Sequence, residues 1–536
     1  MSTHAIDTQN DQELVSLLEV GISLSAEKDT NRLLELIMVA AKGLTNADGG
    51  TLYRVTDNGE LKFEILHNDS LGIQLGGMSG KEITLPNMPL QGDDGAPLLN
   101  RVVTYAVNKD TTVNIPDAYQ SDEFDFSGMK ATDEKMGYKS HSFLTVPMRN
   151  HEGEIIGVLQ LINARQNDKK TIIPFSQHHQ RIVESLASQA AIALTNRLLI
   201  NHLQILFESL INLINKAIDD KSPYTAGHCS RVPELTVMIA DAVNNCSIGP
   251  LKDFSMTEID RYELKIAGLL HDCGKITTPV HVVDKATKLQ TLFDRIELID
   301  TRFEVLKRDM KIAHLEGKLS PHEYDEIAKQ LDSDREFIRH TNIGGEFMKD
   351  DALARLKSIG ENYHWTNPNG DTVNFLSNDE LYNLSIRAGT LTSEERQIIN
   401  HHIDVTIDML EELPWPKHLK NVPEYAGGHH EKMDGKGYPK GLTREQMSVQ
   451  ARCMGIADIF EALTARDRPY KKGKTLSESL TILGKMKLDH HVDPDLFNVF
   501  IWEKVYEKYA QEFLDPEQID DFDITKIPGY EPAPHA

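Results

Sequence analysis

The chain of 536 residues carries only four cysteines, Cys229, Cys246, Cys273 and Cys453, and none sits in a Cys-x-x-Cys pair. That spacing gives no haem attachment or other fixed prosthetic group, and reduced, partly buried thiols in a cytosolic protein are expected. Positive charge is scarce too: 57 Lys and Arg stand against 82 Asp and Glu, a net charge of −25. An acidic chain of this kind does not grip long nucleic acid electrostatically. Long apolar runs are missing, since no stretch approaches the length of a membrane span. The opening segment MSTHAIDTQNDQEL is polar and acidic, unlike a signal peptide. These absences argue for a soluble, cytoplasmic protein with no membrane partner, and the length allows two to four domains.

Histidine, by contrast, is abundant. The most distinctive stretch is His429-His430-Glu431-Lys432-Met433-Asp434-Gly435-Lys436-Gly437-Tyr438-Pro439, two adjacent imidazoles followed by a turn rich in glycine and proline. Neighbouring helical side chains point about 100° apart, so such a pair needs partners from elsewhere to hold an ion. A bare pair means little, because His178-His179, His401-His402 and His490-His491 are paired as well. Upstream, His271-Asp272-Cys273-Gly274-Lys275 closes the apolar run Ile266–Leu270. A buried Asp272 is costly unless paired or bound to a cation, and a metal ligated by His271 and bridged by Asp272 would remove that cost. Asp458 likewise interrupts the apolar helix Cys453–Thr464.

Together, HDCGK and HHEKMDGKGYP resemble the HD-GYP family of helical, metal-dependent phosphohydrolases acting on cyclic dinucleotides. The resemblance covers residues 215–510, within an expected domain of residues 215–515. It implies metal ligands at His228 (in YTAGHCSRV), His271, Asp272, His402, His429, His430 and Asp458. Between His401 and His402 the residues themselves discriminate. Ile399, Ile403, Thr406, Met409 and Leu410 cluster within about a right angle of His402 on a helical wheel, so His402 faces inward and His401 faces solvent. The helix opens with a capping box at Thr392-Ser393-Glu394-Glu395. Residues 286–390 interrupt the family spacing and read as a helical insertion without metal spacing, set near the site mouth.

The N-terminal half reads differently. Residues 11–47 have helical apolar spacing. Two hairpin signals come next: Gly50–Val55 and Leu61–Leu66 around Asp57-Asn58-Gly59, then Phe143–Met148 and Ile155–Asn163 around Asn150-His151-Glu152-Gly153. Helices flanking an antiparallel sheet make an α+β domain. The stretch SFLTVPMRNHEGEIIGVLQLINA, with Ala47-Asp48-Gly49-Gly50, Asp117-Ala118-Tyr119, Phe124 and Gly137-Tyr138, resembles a GAF domain over residues 11–195. The resemblance implies a sensor for a small molecule whose identity the residues leave open; a dimerisation scaffold is the alternative. Residues 176–221 carry an apolar stripe with neither Gly nor Pro, which predicts one long connecting helix, a coiled coil and a homodimer seam. Residues 1–10 are expected to be disordered, residues 473–520 to be further helix, and, within a C-terminal tail at 516–536, the segment IPGYEPAPHA to be loose.

The expected architecture is therefore multidomain: an α+β GAF domain joined by a long helix to an all-α HD-type domain. The resemblance implies two divalent ions, iron or manganese by the donor set. His228, His271, Asp272 and Asp458 would hold one ion; Asp272, His402, His429 and His430 would hold the other. Asp272 and Lys275 would serve catalysis, and Lys275, Arg468 and Lys471 would meet phosphate. A third ion is not expected, because Tyr224 stands where some relatives have a glutamate; Glu234 or a residue of the insertion is the alternative ligand. The substrate would be cyclic di-GMP or cyclic GMP-AMP. A vestigial sensing or protein-binding module and an HD nucleotidohydrolase acting on dNTP or (p)ppGpp are the competing readings.

Overall fold

The hairpin signals of the N-terminal half become the centre of one sheet. The structure, a computed structural model, describes residues 3–166, 170–221, 227–345, 347–466 and 473–534. The chain divides into two compact units, Met1–Phe207 and Glu208–Ala536.

In the first unit, α1 (Thr3–Ala26) and α2 (Thr30–Thr45) precede β1 (Ala47–Val55), β2 (Glu60–Asn68), β3 (Ile73–Gly76) and β4 (Met88–Pro89). Then come α3 (Val102–Asn108), β5 (Val113–Ile115), α4 (Ser127–Met136), β6 (Phe143–Arg149), β7 (Ile155–Arg165) and β8 (Ile172–Ile173). The antiparallel order is β3-β2-β1-β7-β6-β5, with β4 on β2 and β8 on β7. Alternation sends Leu52, Leu144, Val146, Leu159 and Leu161 to one face. There they bury against Ile37 and Met38 of α2 and against Val183, Leu186, Ala190 and Leu194 of α5 (Gln177–Lys221). Asp48 is buried and fully engaged: the Tyr138 hydroxyl donates to it at 2.6 Å and Arg165 pairs with it at 2.8 Å. Asn163 in turn donates to the Tyr138 hydroxyl at 2.8 Å. The sequence features around Asp48 and Tyr138 thus meet in one structural network.

Two expectations change here. Helix α1 begins at Thr3, so residues 3–10 are helical where disorder was expected. Helix α5 is long and apolar enough to cross a membrane by length and composition, which corrects the reading that nothing approaches a span. Uninterrupted runs were the wrong measure, because Asn, His and Gln dilute the apolar content of α5 without abolishing it. Its first half nevertheless belongs to the core of the first unit.

The second unit is helical. It begins with the end of α5, then α6 (His228–Asn245), α7 (Glu258–Leu270), a 3-10 turn at Cys273–Thr277 and α8 (Val280–Val283). The insertion comes next as α9 (Ile296–Leu315), α10 (Pro321–Ile343), α11 (Asp350–Asn362), the hairpin β9 (His364–Thr366) and β10 (Thr372–Asn374), and α12 (Asn378–Leu384). It has its own core of Leu289, Ile299, Phe303, Leu331, Ile338, Leu356 and Phe375. The HD region resumes with α13 (Ser393–Asn400), α14 (His402–Glu411), α15 (Val422–Gly427) and α16 (Val449–Thr464), and ends with α17 (Leu476–Leu488), α18 (Pro494–Trp502) and α19 (Val505–Phe513). The tail is docked rather than loose. The buried Lys487 ammonium donates to Asn498 Oδ1, Gly529 O and Glu531 Oε1, and Trp502 Nε1 donates to Glu531 O. A buried cation needs such partners, and the tail supplies two of them.

Candidate metal centre

Close backbone approach sets the centre. A Cβ at Gly268 would lie 2.9 Å from Pro233 Cα, so α7 crosses α6 without a side chain between them. A Cβ at Gly274 would lie 2.0 Å from His402 O, and Gly274 N–H donates to Thr406 Oγ1 at 2.9 Å. Only glycine lets the 3-10 turn lie on α14. The turn after α7 therefore presents Asp272 to helices distant in sequence.

Asp272 is 2 % exposed and faces two groups of imidazoles. Its Oδ2 lies 3.1 Å from His228 Nε2 and 3.2 Å from His271 Nε2. Its Oδ1 lies 3.2 Å from His402 Nε2. Asp458 Oδ1 approaches His228 Nε2 at 3.3 Å and His271 Nε2 at 3.9 Å. His430 Nε2 lies 3.2 Å from His402 Nε2. Two sets of potential ligand atoms result, His228–His271–Asp272 and His402–His429–His430, each within 4.8 Å internally. All seven residues singled out in the sequence meet here, including Asp458. His402 is buried and the His401 side chain is 66 % exposed, which agrees with the helical-wheel argument.

The imidazoles are oriented by a repeated device. His271 Nδ1 pairs with Gly268 O at 2.7 Å, His402 Nδ1 with Ile399 O at 2.6 Å and His429 Nδ1 with Ala426 O at 2.6 Å. A carbonyl only accepts, so each Nδ1 carries the proton and each Nε2 turns its lone pair into the centre. His429 Nε2 is buried and has no hydrogen-bond partner. Nitrogen and carboxylate donors converging without thiolate, with one orphaned imidazole nitrogen among them, fit a pair of divalent cations.

Charges follow from the same geometry. Burial pushes His429 well below the ordinary imidazole value and takes His430 down to about 4. Both are thus neutral donors near pH 7. Burial would lower His228 as well, but Glu461 beside it holds it well above the ordinary value. Burial would raise Asp272, yet the Lys275 ammonium beside it keeps it well below the carboxylate range. Lys275 Nζ lies 2.5 Å from Asp272 Oδ2, which keeps the ammonium charged despite burial.

Sequence reasoning missed Glu461 and Arg231. Glu461 is 1 % exposed, receives His228 Nδ1 at 2.5 Å and is held by Arg231 at 2.7 Å. The available signal was its place one turn after Asp458 in an otherwise apolar helix. Glu431 has a further role: its carboxylate accepts the N–H groups of Lys440 and Leu442 at 2.8 and 2.9 Å, folding the glycine-rich loop back. Tyr438 then stacks on His430, with ring centroids 4.8 Å apart. Arg468, Lys471 and Tyr224 lie outside the described residues. Glu234 pairs with Lys265 at the surface.

The GAF domain family matches residues 29–194, and two HD domain families match residues 225–335 and 351–496. A 3'3'-cGAMP-specific phosphodiesterase of Vibrio cholerae is 23% identical over 290 residues, 54% of this chain and 37% of the relative. A cyclic di-GMP phosphodiesterase of Pseudomonas aeruginosa is 35% identical over 115 residues, 22% of this chain and 27% of the relative. The chain thus aligns with about a third of the length of these curated relatives. The solved GAF domain/HD domain protein from Geobacter sulfurreducens matches 33% of this chain and 98% of its own, at 18% identity and a TM-score of 0.22. The chain carries a GAF domain followed, after a long helix, by a helical HD domain.

Proposed function

We propose that the chain is a metal-dependent phosphodiesterase that hydrolyses a cyclic dinucleotide, cyclic di-GMP or cyclic GMP-AMP, to the linear dinucleotide. The observation that carries this reading is Asp272, whose two oxygens face two separate imidazole groups. His228, His271, Asp272 and Asp458 would hold one divalent ion; Asp272, His402, His429 and His430 would hold a second, with iron or manganese suited to these donors. Such a pair, when bound, supplies Lewis acidity and lowers the pKa of water. The chain supplies the rest. Its Nδ1–carbonyl bonds fix the direction of three imidazoles before any ligand arrives. Lys275, already charged and at the centre, would pass from Asp272 to a phosphate oxygen and offset the charge that builds there. Arg468 and Lys471 are proposed to meet the second phosphate. Hydrolysis adds the water oxygen to phosphorus and a proton to the leaving sugar oxygen, opening one ester bond of the ring.

The names of the two bacterial relatives support the substrate class. The GAF domain is proposed to sense a small molecule and α5 to carry its state onward. The seam of a homodimer is supported by Leu199, Leu203, Leu206, Leu210 and Leu213, which recur at alternating four- and three-residue spacing and are all exposed. A cytoplasmic location goes with a cyclic dinucleotide substrate. Turnover of cyclic di-GMP, cyclic GMP-AMP and dNTP by metal-loaded protein tests the reading. Linear dinucleotide is expected; hydrolysis of dNTP alone would favour the nucleotidohydrolase, and no turnover the sensing module.

A further inference from the structure

The end of α5 touches each segment that carries the first group of site residues. Ile211, Asn215 and Ile218 form a buried stripe along the last turns of the helix. The Tyr262 hydroxyl of α7, the helix that ends at His271, donates to Glu208 Oε1 at 2.9 Å. Asp219 Oδ2 accepts the N–H of Gly227 at 3.3 Å, and Gly227 is the cap from which α6 starts at His228. Lys221, the last residue of α5, places its Nζ 3.2 Å from Lys275 O and 2.5 Å from Ile276 O.

Those two carbonyls close the 3-10 turn that comes after Asp272 and bears Lys275. A turn this short leaves its final carbonyls without internal donors. Thr278 N–H reaches Lys275 O at 3.1 Å, and the Lys221 ammonium supplies the remaining contacts. On its other side the turn is fixed by Gly274 on Thr406. Asp272 and Lys275 are thus held between α14 and the tip of α5.

We infer that Lys221, aided by Asp219, is a positioning residue for Asp272 and Lys275, and that the tip of α5 is where movement of the connecting helix reaches the catalytic centre. This rests on the phosphodiesterase reading for its catalytic consequence, though not for its structural one. A shift of α5 along or about its axis withdraws one ammonium from two carbonyls and frees the turn. Of the proposed phosphate contacts Lys275 rides on this turn, and the charge it offsets builds toward the transition state, so the loss falls on kcat far more than on KM.

The test compares full-length wild type, Lys221→Met and Lys221→Arg, by amide hydrogen exchange and by turnover of cyclic di-GMP. Lys221→Met should speed exchange across residues 273–278 about tenfold and lower kcat about tenfold, with KM unchanged within about twofold. Lys221→Arg, which keeps a donor cation, should restore most of both. Wild-type exchange in residues 273–278 of Lys221→Met would overturn the inference. So would faster exchange spread evenly over α6, α7 and α14, which marks general loosening. If the wild type hydrolyses no cyclic dinucleotide, the proposed function falls, and the exchange pattern still decides whether Lys221 holds the turn.

Discussion

Asp272 Oδ1 lies 3.2 Å from His402 Nε2, while the other oxygen of the same carboxylate lies 3.1 Å from His228 Nε2. One side chain therefore joins two imidazole groups that come from helices more than a hundred residues apart in sequence.

Removing that carboxylate should dismantle both sites together. Asp272→Ala is expected to lower turnover by about a thousandfold or more and to abolish metal binding, because in the proposed reading its two oxygens would each serve one ion. His401→Ala, at an exposed position, should change neither. Metal analysis and turnover on the same preparations check this; loss of activity in His401→Ala with retention in His402→Ala would reverse the assignment.

Glu461 touches His228 only through Nδ1, the ring nitrogen facing away from the centre. Glu461→Gln should keep the fold and weaken metal affinity about 10–100-fold, as loss of a carboxylate behind a ligating histidine does. Titration of the metal-free variant with manganese measures it. An affinity equal to wild type would remove Glu461 from the site.

Lys288 is 1 % exposed, and its ammonium donates to Leu384 O at 3.2 Å. Burial takes it down to about 8 from an ordinary 10.5. Below pH 8 it is charged in both folded and unfolded chains, so the full cost of burying the charge is present. Between about 8 and 10.5 the unfolded chain holds the proton that the folded chain has released, and stability rises with pH. Lys288→Met should therefore stabilise the second unit by about 2 kcal/mol at pH 7, with the gain fading toward pH 10.5. Urea unfolding followed at Trp365, Trp415 and Trp502 reads the difference; a destabilised variant at pH 7 contradicts it.

The exposed leucines of α5 predict that register governs coupling. Inserting one residue after Leu206 rotates the downstream chain by about 100°, whereas seven residues nearly restore the phase. Turnover should be altered by the first insertion and retained by the second. Equal activity in both would exclude rigid transmission through the helix.

How much of the fold and the site was legible in the sequence depends on the range of the interaction. His402 could be chosen over His401 because helical periodicity is local. Asp272 and Asp458 stood out because a carboxylate inside an apolar run demands compensation. The paired strands around Asn58-Gly59 and Gly153 followed from turn chemistry. Glu461 was hidden because its partner, His228, lies 233 residues away. The docked tail was hidden because it answers the buried Lys487 on another helix. The membrane-like composition of α5 escaped a search for uninterrupted runs. Lys221 gave no signal because its partners are backbone carbonyls, which every residue has.

The central claim is a metal pair bridged by Asp272 that opens a cyclic dinucleotide. The most direct measurement is product analysis on protein purified without oxygen, with metals counted in the same sample and located by anomalous scattering. The account predicts linear dinucleotide, two ions per chain on either side of Asp272, and loss of product formation when a chelator removes them. Undiminished hydrolysis after metal removal, or three fully occupied ion sites, would contradict it.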